Sequence, residues 1–326
     1  MAIQTSTAAR FTSVAVHPAT DAGLQYRADR ADHARAAGFP PEPRLNLRNF
    51  GGRTIEHLTF TNVYLGGTHA WDAADVRNID WALAAAMSDR HLNNVLAQYW
   101  VDGAPTTAFK PSRFLDGPVG PRVYRDTVEG FAAALEQTNA LSGFDLTKTV
   151  FNFLLPRGAV LVDGDSSGRL RRVRHEHDHD EAVDSRHGLG GFHGSIHARR
   201  GAGRETVYYA VGVYCEGGNG IVQFREPWKN VCAVFYHELV EARTDPDVED
   251  AIRAGDTPAA DRFLGWYSPR GGEIGDIPLE EAGANLGLVM KEVTLTGSTE
   301  KVPVQLMWSN AVSGPEGPIP RKHHSA

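Results

Sequence analysis

The residues best suited to chemistry form the segment His237-Glu238-Leu239-Val240-Glu241. On a helix, residues four apart project from one face, so the His237 imidazole and the Glu241 carboxylate can converge on one cation. Glu238 lies about 100° further round the helix, which is where a general base for a water molecule belongs. The usual zinc-peptidase motif has a second histidine where this chain has Glu241, but carboxylates also bind zinc. The spacing therefore predicts a Zn²⁺ site and hydrolytic chemistry.

A helix over Val231 to Thr244 must carry this segment. Asn230 can cap its start, and Pro246 disfavours helical geometry at Asp245, so we expect the helix to end there. Apolar residues occupy most of its circumference, and a helix of this kind is buried. Buried ionised groups need a partner or a metal ion, which strengthens the prediction of a cation site.

Other residues could complete the site. Glu273 and Asp276 lie in a glycine-flanked loop that can bend back to supply a further ligand. Tyr267 could donate a hydrogen bond to a reaction oxyanion, or it could belong to the core. Asp245 and Asp247 have the oxygen chemistry for Ca²⁺, so a structural calcium ion is a second cofactor prediction, although a turn that ends the helix is the favoured interpretation of these two residues.

Strands and helices interleave along the chain, and this predicts an α/β (α+β) fold with a single mixed sheet, packed helices and a zincin-like active-site helix. We predict an N-terminal extension over residues 1–45 that packs loosely or wraps the domain, and a metallopeptidase-like domain over residues 46–326. Predicted strands cover residues 57–65, 149–155, 206–214, 289–295 and 302–308; predicted helices cover 75–88, 91–99, 128–140 and 231–244; residues 255–282 are predicted to be irregular.

Composition limits the classes of function. The chain has 326 residues, 41% of them hydrophobic, and a formal net charge of −7, so we expect a substantial core and no nucleic-acid partner. It has no apolar run of membrane-spanning length and no secretory h-region, which predicts a cytoplasmic protein without membrane contact. Two cysteines exclude a disulfide framework. The run from His175 to Asp180 could bind transition metals, but we expect a solvated loop.

Several blocks together resemble a known family. The pattern H-E-x-x-E-x-x-T-[DN]-P, followed by G-W-Y and E-I-G-D, is similar to that of the Exordium or phosphate-induced protein family of plants and its bacterial relatives. The resemblance covers roughly residues 50–312. Its blocks here are residues 237–246, 265–267 and 273–276, with a G-F-H element at 191–193 and a V-Q-x-x-W-S-N segment at 304–310.

The resemblance implies a metallopeptidase-like domain without an established reaction. It also implies a role for His193 as a third metal ligand or as a hydrogen-bond donor to the transition state, in competition with Glu273 and Asp276. Family members are usually exported and commonly have a cysteine after E-I-G-D, where this chain has Ile277-Pro278. The predicted substrate is a peptide or a small-molecule amide. The alternatives are a binding or signalling protein with a structural metal site, and a biosynthetic enzyme acting on a small amide or ester.

Overall fold

The structure is a computed structural model that describes residues 3–5, 33–100, 105–138, 140–167, 183–200, 203–255 and 259–319. Within these residues the helices are α1 Ala73–Ser88, α2 Arg90–Asn93, α3 Arg125–Gln137, α4 Pro227–Thr244, α5 Val248–Ala254 and α6 Asp276–Ala282. The strands are β1 Ile3–Thr5, β2 Arg48–Asn49, β3 His57–Leu65, β4 Thr106–Leu115, β5 Arg122–Tyr124, β6 Thr149–Leu154, β7 Val160–Val162, β8 Gly191–Arg200, β9 Gly203–Gly212, β10 Trp266–Tyr267, β11 Met290–Thr294, β12 Lys301–Gln305, β13 Met307–Ser309 and β14 Gly314–Glu316.

One mixed sheet organises the fold. Its strand order is β1-β4-β3-β6-β9-β8, in which β4, β3, β6 and β9 run parallel and the two edge strands are antiparallel to their neighbours. Four two-stranded ladders accompany it: β2 with β10, β5 with β7, β11 with β12, and β13 with β14. The predicted α+β class, with a mixed sheet and packed helices, is therefore confirmed.

Both faces of the sheet are covered. Along β6, Val150 and Leu154 point into one hydrophobic core, and Phe151 and Phe153 point into the other, because successive side chains of a strand face opposite sides. Helices α1 and α4 pack in the first core and α3 packs in the second. Helix α4 contacts α1, β8, β9 and β12, so it lies in the interior.

Helix α4 carries the predicted H-E-x-x-E segment. It ends at Thr244 as predicted, and every residue from Asn230 to Thr244 is buried. Its start lies four residues earlier than predicted, because Pro227 occupies the first turn, where a backbone N–H is not needed. The predicted Asn230 cap is wrong: its Oδ1 accepts the backbone N–H groups of Gln223 and Phe224 and ties the preceding loop to the helix.

Two predicted segments differ from the structure. The helix predicted over residues 91–99 is limited to α2 and a separate 3-10 turn, because the backbone N–H groups of Leu96, Ala97 and Tyr99 bond to carbonyl groups three residues back instead of four. The region 255–282 is not wholly irregular, since it contains β10 and α6. Strands β4 and β8 and helix α5 were not predicted.

The end of the predicted N-terminal extension packs onto the domain. The Ala36 N–H donates to the Pro315 carbonyl oxygen at 2.7 Å, and Phe39 is buried in a small hydrophobic cluster with Val289 and Leu306. These contacts attach residues 36 and 39 to the domain; the extension over residues 1–45 and its boundary stay predictions. Cys215 and Cys232 are both buried free thiols. Among the described residues, no helix is long and apolar enough to cross a membrane.

Candidate metal centre

Five carboxylates and two imidazoles meet beside α4, and they include the five residues predicted as zinc ligands. They come from β8, from α4 and the residue directly after it, from the loop before α6, and from the start of α6. Six of the seven residues are buried, and Asp276, with a side chain 43% exposed, opens the cluster to solvent. The members are His193, His237, Glu238, Glu241, Asp245, Glu273 and Asp276.

The His237 ring is held from its far side. Gln305 on β12 donates through Nε2 to the Gly275 carbonyl oxygen at 2.6 Å, which turns its Oε1 toward His237 Nδ1 at 3.0 Å. Nδ1 therefore carries a proton, and Nε2 faces Glu241 Oε2 at 2.9 Å and Asp276 Oδ1 at 3.6 Å. An acceptor behind the ring that fixes the tautomer in this way is typical of metal-binding histidines.

Glu241 occupies the centre of the cluster. Its Oε1 accepts the backbone N–H groups of Gly275 at 3.0 Å and of Asp276 at 3.1 Å. Its Oε2 lies 2.9 Å from His237 Nε2 and 3.7 Å from His193 Nδ1. One oxygen thus fixes the position of the carboxylate, and the other faces both imidazoles.

Two glycines of the sequence motifs permit this close packing. A Cβ atom at Gly275 would lie 2.5 Å from His237 Nδ1 and 2.9 Å from Glu241 Oε1, distances that Cβ contacts do not adopt. A Cβ atom at Gly191 would lie 2.9 Å from Glu238 Oε1. Glycine is the default residue where a backbone approaches another group this closely, so both positions have a physical reason to be glycine.

His193 reaches the cluster from the edge strand β8. Its neighbour Phe192 faces the core under α3, so His193 points to the opposite face of the sheet, toward α4. Its Nε2 donates to the Asp245 carbonyl oxygen at 3.1 Å. Its Nδ1 then faces Glu238 Oε2 at 3.5 Å and Glu241 Oε2 at 3.7 Å. His193 therefore resembles His237 in having one nitrogen hydrogen-bonded to an oxygen and the other directed at carboxylates, but its hydrogen-bonded Nε2 also lies 3.6 Å from Glu273 Oε1.

Glu273 brings an unsatisfied oxygen into the cluster. The residue is 7% exposed, and its Oε1 lies 3.6 Å from His193 Nε2, with no hydrogen-bond partner among the described residues. Asp245 is similar, since Oδ1 accepts the Gly265 N–H at 2.8 Å while Oδ2 is buried without a partner in the described part of the chain. Buried polar atoms are rarely left unpaired, and bound water or an ion is a common explanation.

The carboxylates carry more negative charge than their surroundings compensate. Burial, with Asp276 nearby, raises the pKa of Glu241 to about 7, and burial likewise raises the pKa of Asp245 to about 7. Burial and the Glu241 charge raise the pKa of Glu273 well above its ordinary value. Burial alone would lower the pKa of His237, but the Glu241 carboxylate raises it to about 10. No lysine or arginine of the described residues lies within 4.0 Å of these carboxylates, so their positive partners are protonated histidines or a bound cation.

The donors fit a divalent cation. Two sets of three side chains have ligand atoms that all lie within 4.8 Å of one another: His237, Glu241 and Asp276 form one set, and His193, Glu241 and Glu273 form the other. Each set combines one imidazole nitrogen with carboxylate oxygens, the donors from which zinc sites are built. The Glu273 oxygen without a hydrogen-bond partner and the hydrogen bond that orients His237 also support a cation site.

The remaining candidates lie elsewhere. Tyr267 is 1% exposed and packs in a hydrophobic cluster with Val248 and Leu264, so its oxyanion role stays a prediction. Asp247 belongs to neither ligand set, and Ca²⁺ binding there also stays a prediction. The run from His175 to Asp180 lies outside the described residues. Gln305 was missed as a functional residue, and its only trace in the sequence was its place in the V-Q-x-x-W-S-N segment.

Comparisons with protein-family models, with curated proteins and with solved structures found no match to this chain. The resemblance to the Exordium family therefore stays a prediction. The chemistry of the site has to be inferred from its own geometry and charge.

Proposed function

We propose that the chain is a metal-dependent hydrolase that cleaves an amide bond in a peptide or a small molecule, with Glu238 as general base. The position of Glu238 is the observation that supports this most directly. Its Oε2 lies 3.5 Å from His193 Nδ1 and its Oε1 lies 4.0 Å from His237 Nε2, yet it belongs to neither ligand set. A carboxylate that borders a metal site without binding the ion has the position of a proton acceptor.

The reaction follows from these positions. A divalent cation such as Zn²⁺, when bound, lowers the pKa of water toward neutrality and polarises a carbonyl group. Glu238 accepts the proton from the attacking water and later passes it to the leaving amine. Gln305 keeps the His237 ring in its ligand orientation throughout. The exposed side of Asp276 gives a substrate its approach to the otherwise buried cluster.

A second candidate is a binding or signalling protein with a structural ion. The observation that favours it is the burial of His193, His237, Glu241 and Glu273, since a structural site is enclosed by its protein ligands. A catalytic site instead leaves a coordination position for water. The cytoplasmic location expected from the sequence stays a prediction, which cell fractionation tests.

The test compares wild type with Glu238→Gln, a change of charge without a change of shape. Elemental analysis of both purified proteins should find bound metal, because Glu238 is not a ligand. Turnover of a fluorogenic peptide and amide library should fall by about 100-fold or more in the variant, since general-base catalysis contributes about 10²–10⁴-fold. Glu300→Gln, on the exposed turn between β11 and β12, is the matched control and should leave both measurements unchanged.

Two results would contradict the proposal. Wild-type protein that binds no metal would remove its basis. A Glu238→Gln variant that binds metal and turns over the library at the wild-type rate would show that Glu238 is not the base, and a metal ion surrounded by four protein ligands would favour the structural alternative.

A further inference from the structure

We propose that the cluster holds two divalent cations bridged by the Glu241 carboxylate. This rests on the proposed function only in taking the cation at His237 as the first of the two. The first position lies between His237, Glu241 and Asp276, and the second lies between His193, Glu241 and Glu273. Each position has one imidazole nitrogen and two carboxylates, a donor set that suits Zn²⁺ and Mn²⁺.

The two imidazoles point to separate ions. Each has an outer nitrogen that donates to an oxygen, Gln305 Oε1 for His237 and the Asp245 carbonyl oxygen for His193. Each has an inner nitrogen directed at Glu241 Oε2. Although both face the same oxygen, the two histidines belong to different ligand sets, and no set in the described residues contains both. Two imidazoles that face one carboxylate oxygen from different ligand sets can bind a pair of ions bridged by that carboxylate.

Glu273 is the independent observation for the second position. A cation at His237 would be bound by Glu241 and Asp276, and the buried Oε1 of Glu273 would still have no hydrogen-bond partner among the described residues. Leaving a buried acceptor unsatisfied costs about 1–3 kcal/mol, and a folded protein seldom tolerates this without a reason. A second cation beside His193 gives this oxygen its partner.

Charge balance agrees with two ions. Four carboxylates lie within 4.0 Å of the two imidazoles, and the described residues place no lysine or arginine against them. When these carboxylates are ionised and both imidazoles are neutral, their charge equals that of two divalent cations. In known two-metal sites the ions lie about 3.5–4 Å apart, a spacing that one shared carboxylate can bridge. Glu238, which lies near both histidines, would then border both ions.

Counting bound ions tests this directly. Native mass spectrometry of the full chain during titration with Zn²⁺ should find two ions per chain. The titration uses a background in which His175, His177 and His179 are replaced by asparagine, because that run could bind zinc by itself. In this background Glu273→Gln should reduce the count to one, and the control Glu300→Gln should leave it at two.

The outcomes separate the two proposals. A background protein that saturates with one ion overturns the second position and leaves the proposed hydrolase intact. Two ions that persist in Glu273→Gln also overturn it, because the second ion then lies elsewhere. A background protein that binds none overturns both proposals, and two ions without hydrolysis overturn only the proposed function. If Glu273→Gln fails to fold, anomalous scattering from zinc-loaded wild-type crystals decides the matter: two peaks beside Glu241 support the pair, and one peak refutes it.

Discussion

Replacement of Gln305 by methionine tests the geometry of the site without touching a carboxylate or a histidine. Gln305 is 2% exposed and makes two hydrogen bonds, accepting from His237 Nδ1 at 3.0 Å and donating to the Gly275 carbonyl oxygen at 2.6 Å. Methionine has a similar length and fills the same space, but it provides neither bond with comparable strength. The His237 ring would lose its fixed tautomer and orientation.

The expected loss can be stated in numbers. Removal of the hydrogen-bond partner behind a metal-binding histidine typically costs about 10–100-fold in metal affinity, which corresponds to about 1.4–2.7 kcal/mol. The free energy of unfolding should also fall, by about 1–3 kcal/mol for each buried group left unpaired. Those two groups are the His237 Nδ1–H and the Gly275 carbonyl oxygen.

Zinc affinity is measured by competition with a chromogenic chelator at constant pH, and stability by urea unfolding of the metal-free protein. Gln98→Met is the matched control. Gln98 is half-buried and donates to the Val95 carbonyl oxygen at 2.7 Å and to Ser309 Oγ at 3.0 Å, but it contacts no member of the cluster. It should lower stability without lowering zinc affinity. Equal zinc affinity in Gln305→Met and in the control would refute the role of Gln305.

Two further predictions concern backbone approach and buried charge. Gly275→Ala should lower the free energy of unfolding by about 1–3 kcal/mol and weaken zinc binding in the same chelator assay, because the new Cβ would lie 2.5 Å from His237 Nδ1. Gly130→Ala is the control: a Cβ at this position on α3 would meet no atom within 4 Å, so the variant should be at least as stable as wild type. Burial raises the pKa of Asp80 to about 6, so ionisation of Asp80 costs more free energy in the folded protein than in the unfolded chain. As the pH rises from about 4 to about 6, the free energy of unfolding of wild type should therefore fall by up to about 3 kcal/mol. Asp80→Asn should remove this loss. The free energy of unfolding of the variant, measured with urea, should therefore rise relative to that of wild type between about pH 4.5 and about pH 8. A difference between the two proteins that does not change with pH would contradict the prediction.

Sequence patterns predicted the elements with a clear apolar composition or period. Strand β3 has the predicted bounds and β6 ends one residue earlier than predicted, because both are runs rich in β-branched and aromatic residues; α1 and α3 lie within three residues of their predicted bounds, because each has apolar residues at helical spacing. Strand β8 was missed because glycine, histidine and arginine dominate it, and its identity as a strand comes from pairing with β9. Helix α6 was missed because seven residues in a glycine-rich region are too short for a helical period to emerge.

Site residues that share one helix could be placed from the sequence, and site residues joined only by tertiary contacts could not. His237, Glu238 and Glu241 could be placed on one helix from spacing alone, since helical geometry fixes their relation. Asp245 and Gln305 could not be assigned their positions in this way. Gln305 acts through a hydrogen bond between residues 68 positions apart in the chain, and Asp245 joins the cluster through its carbonyl oxygen, an atom that every residue has. Such contacts depend on tertiary packing and leave no local pattern.

The choice of a third metal ligand shows most clearly what the sequence could not decide. Sequence reasoning assumed one ion and could not choose among Glu273, Asp276 and His193, as if they competed for one coordination position. In the structure they fall into two ligand sets that share Glu241: Asp276 belongs with His237, and Glu273 belongs with His193. The sequence could not separate these sets, because it does not show which residues lie together. A buried cluster with more donors than one cation can use is therefore itself a reason to test for a second ion, and Glu241, the one residue common to both sets, is where the two binding events should be coupled.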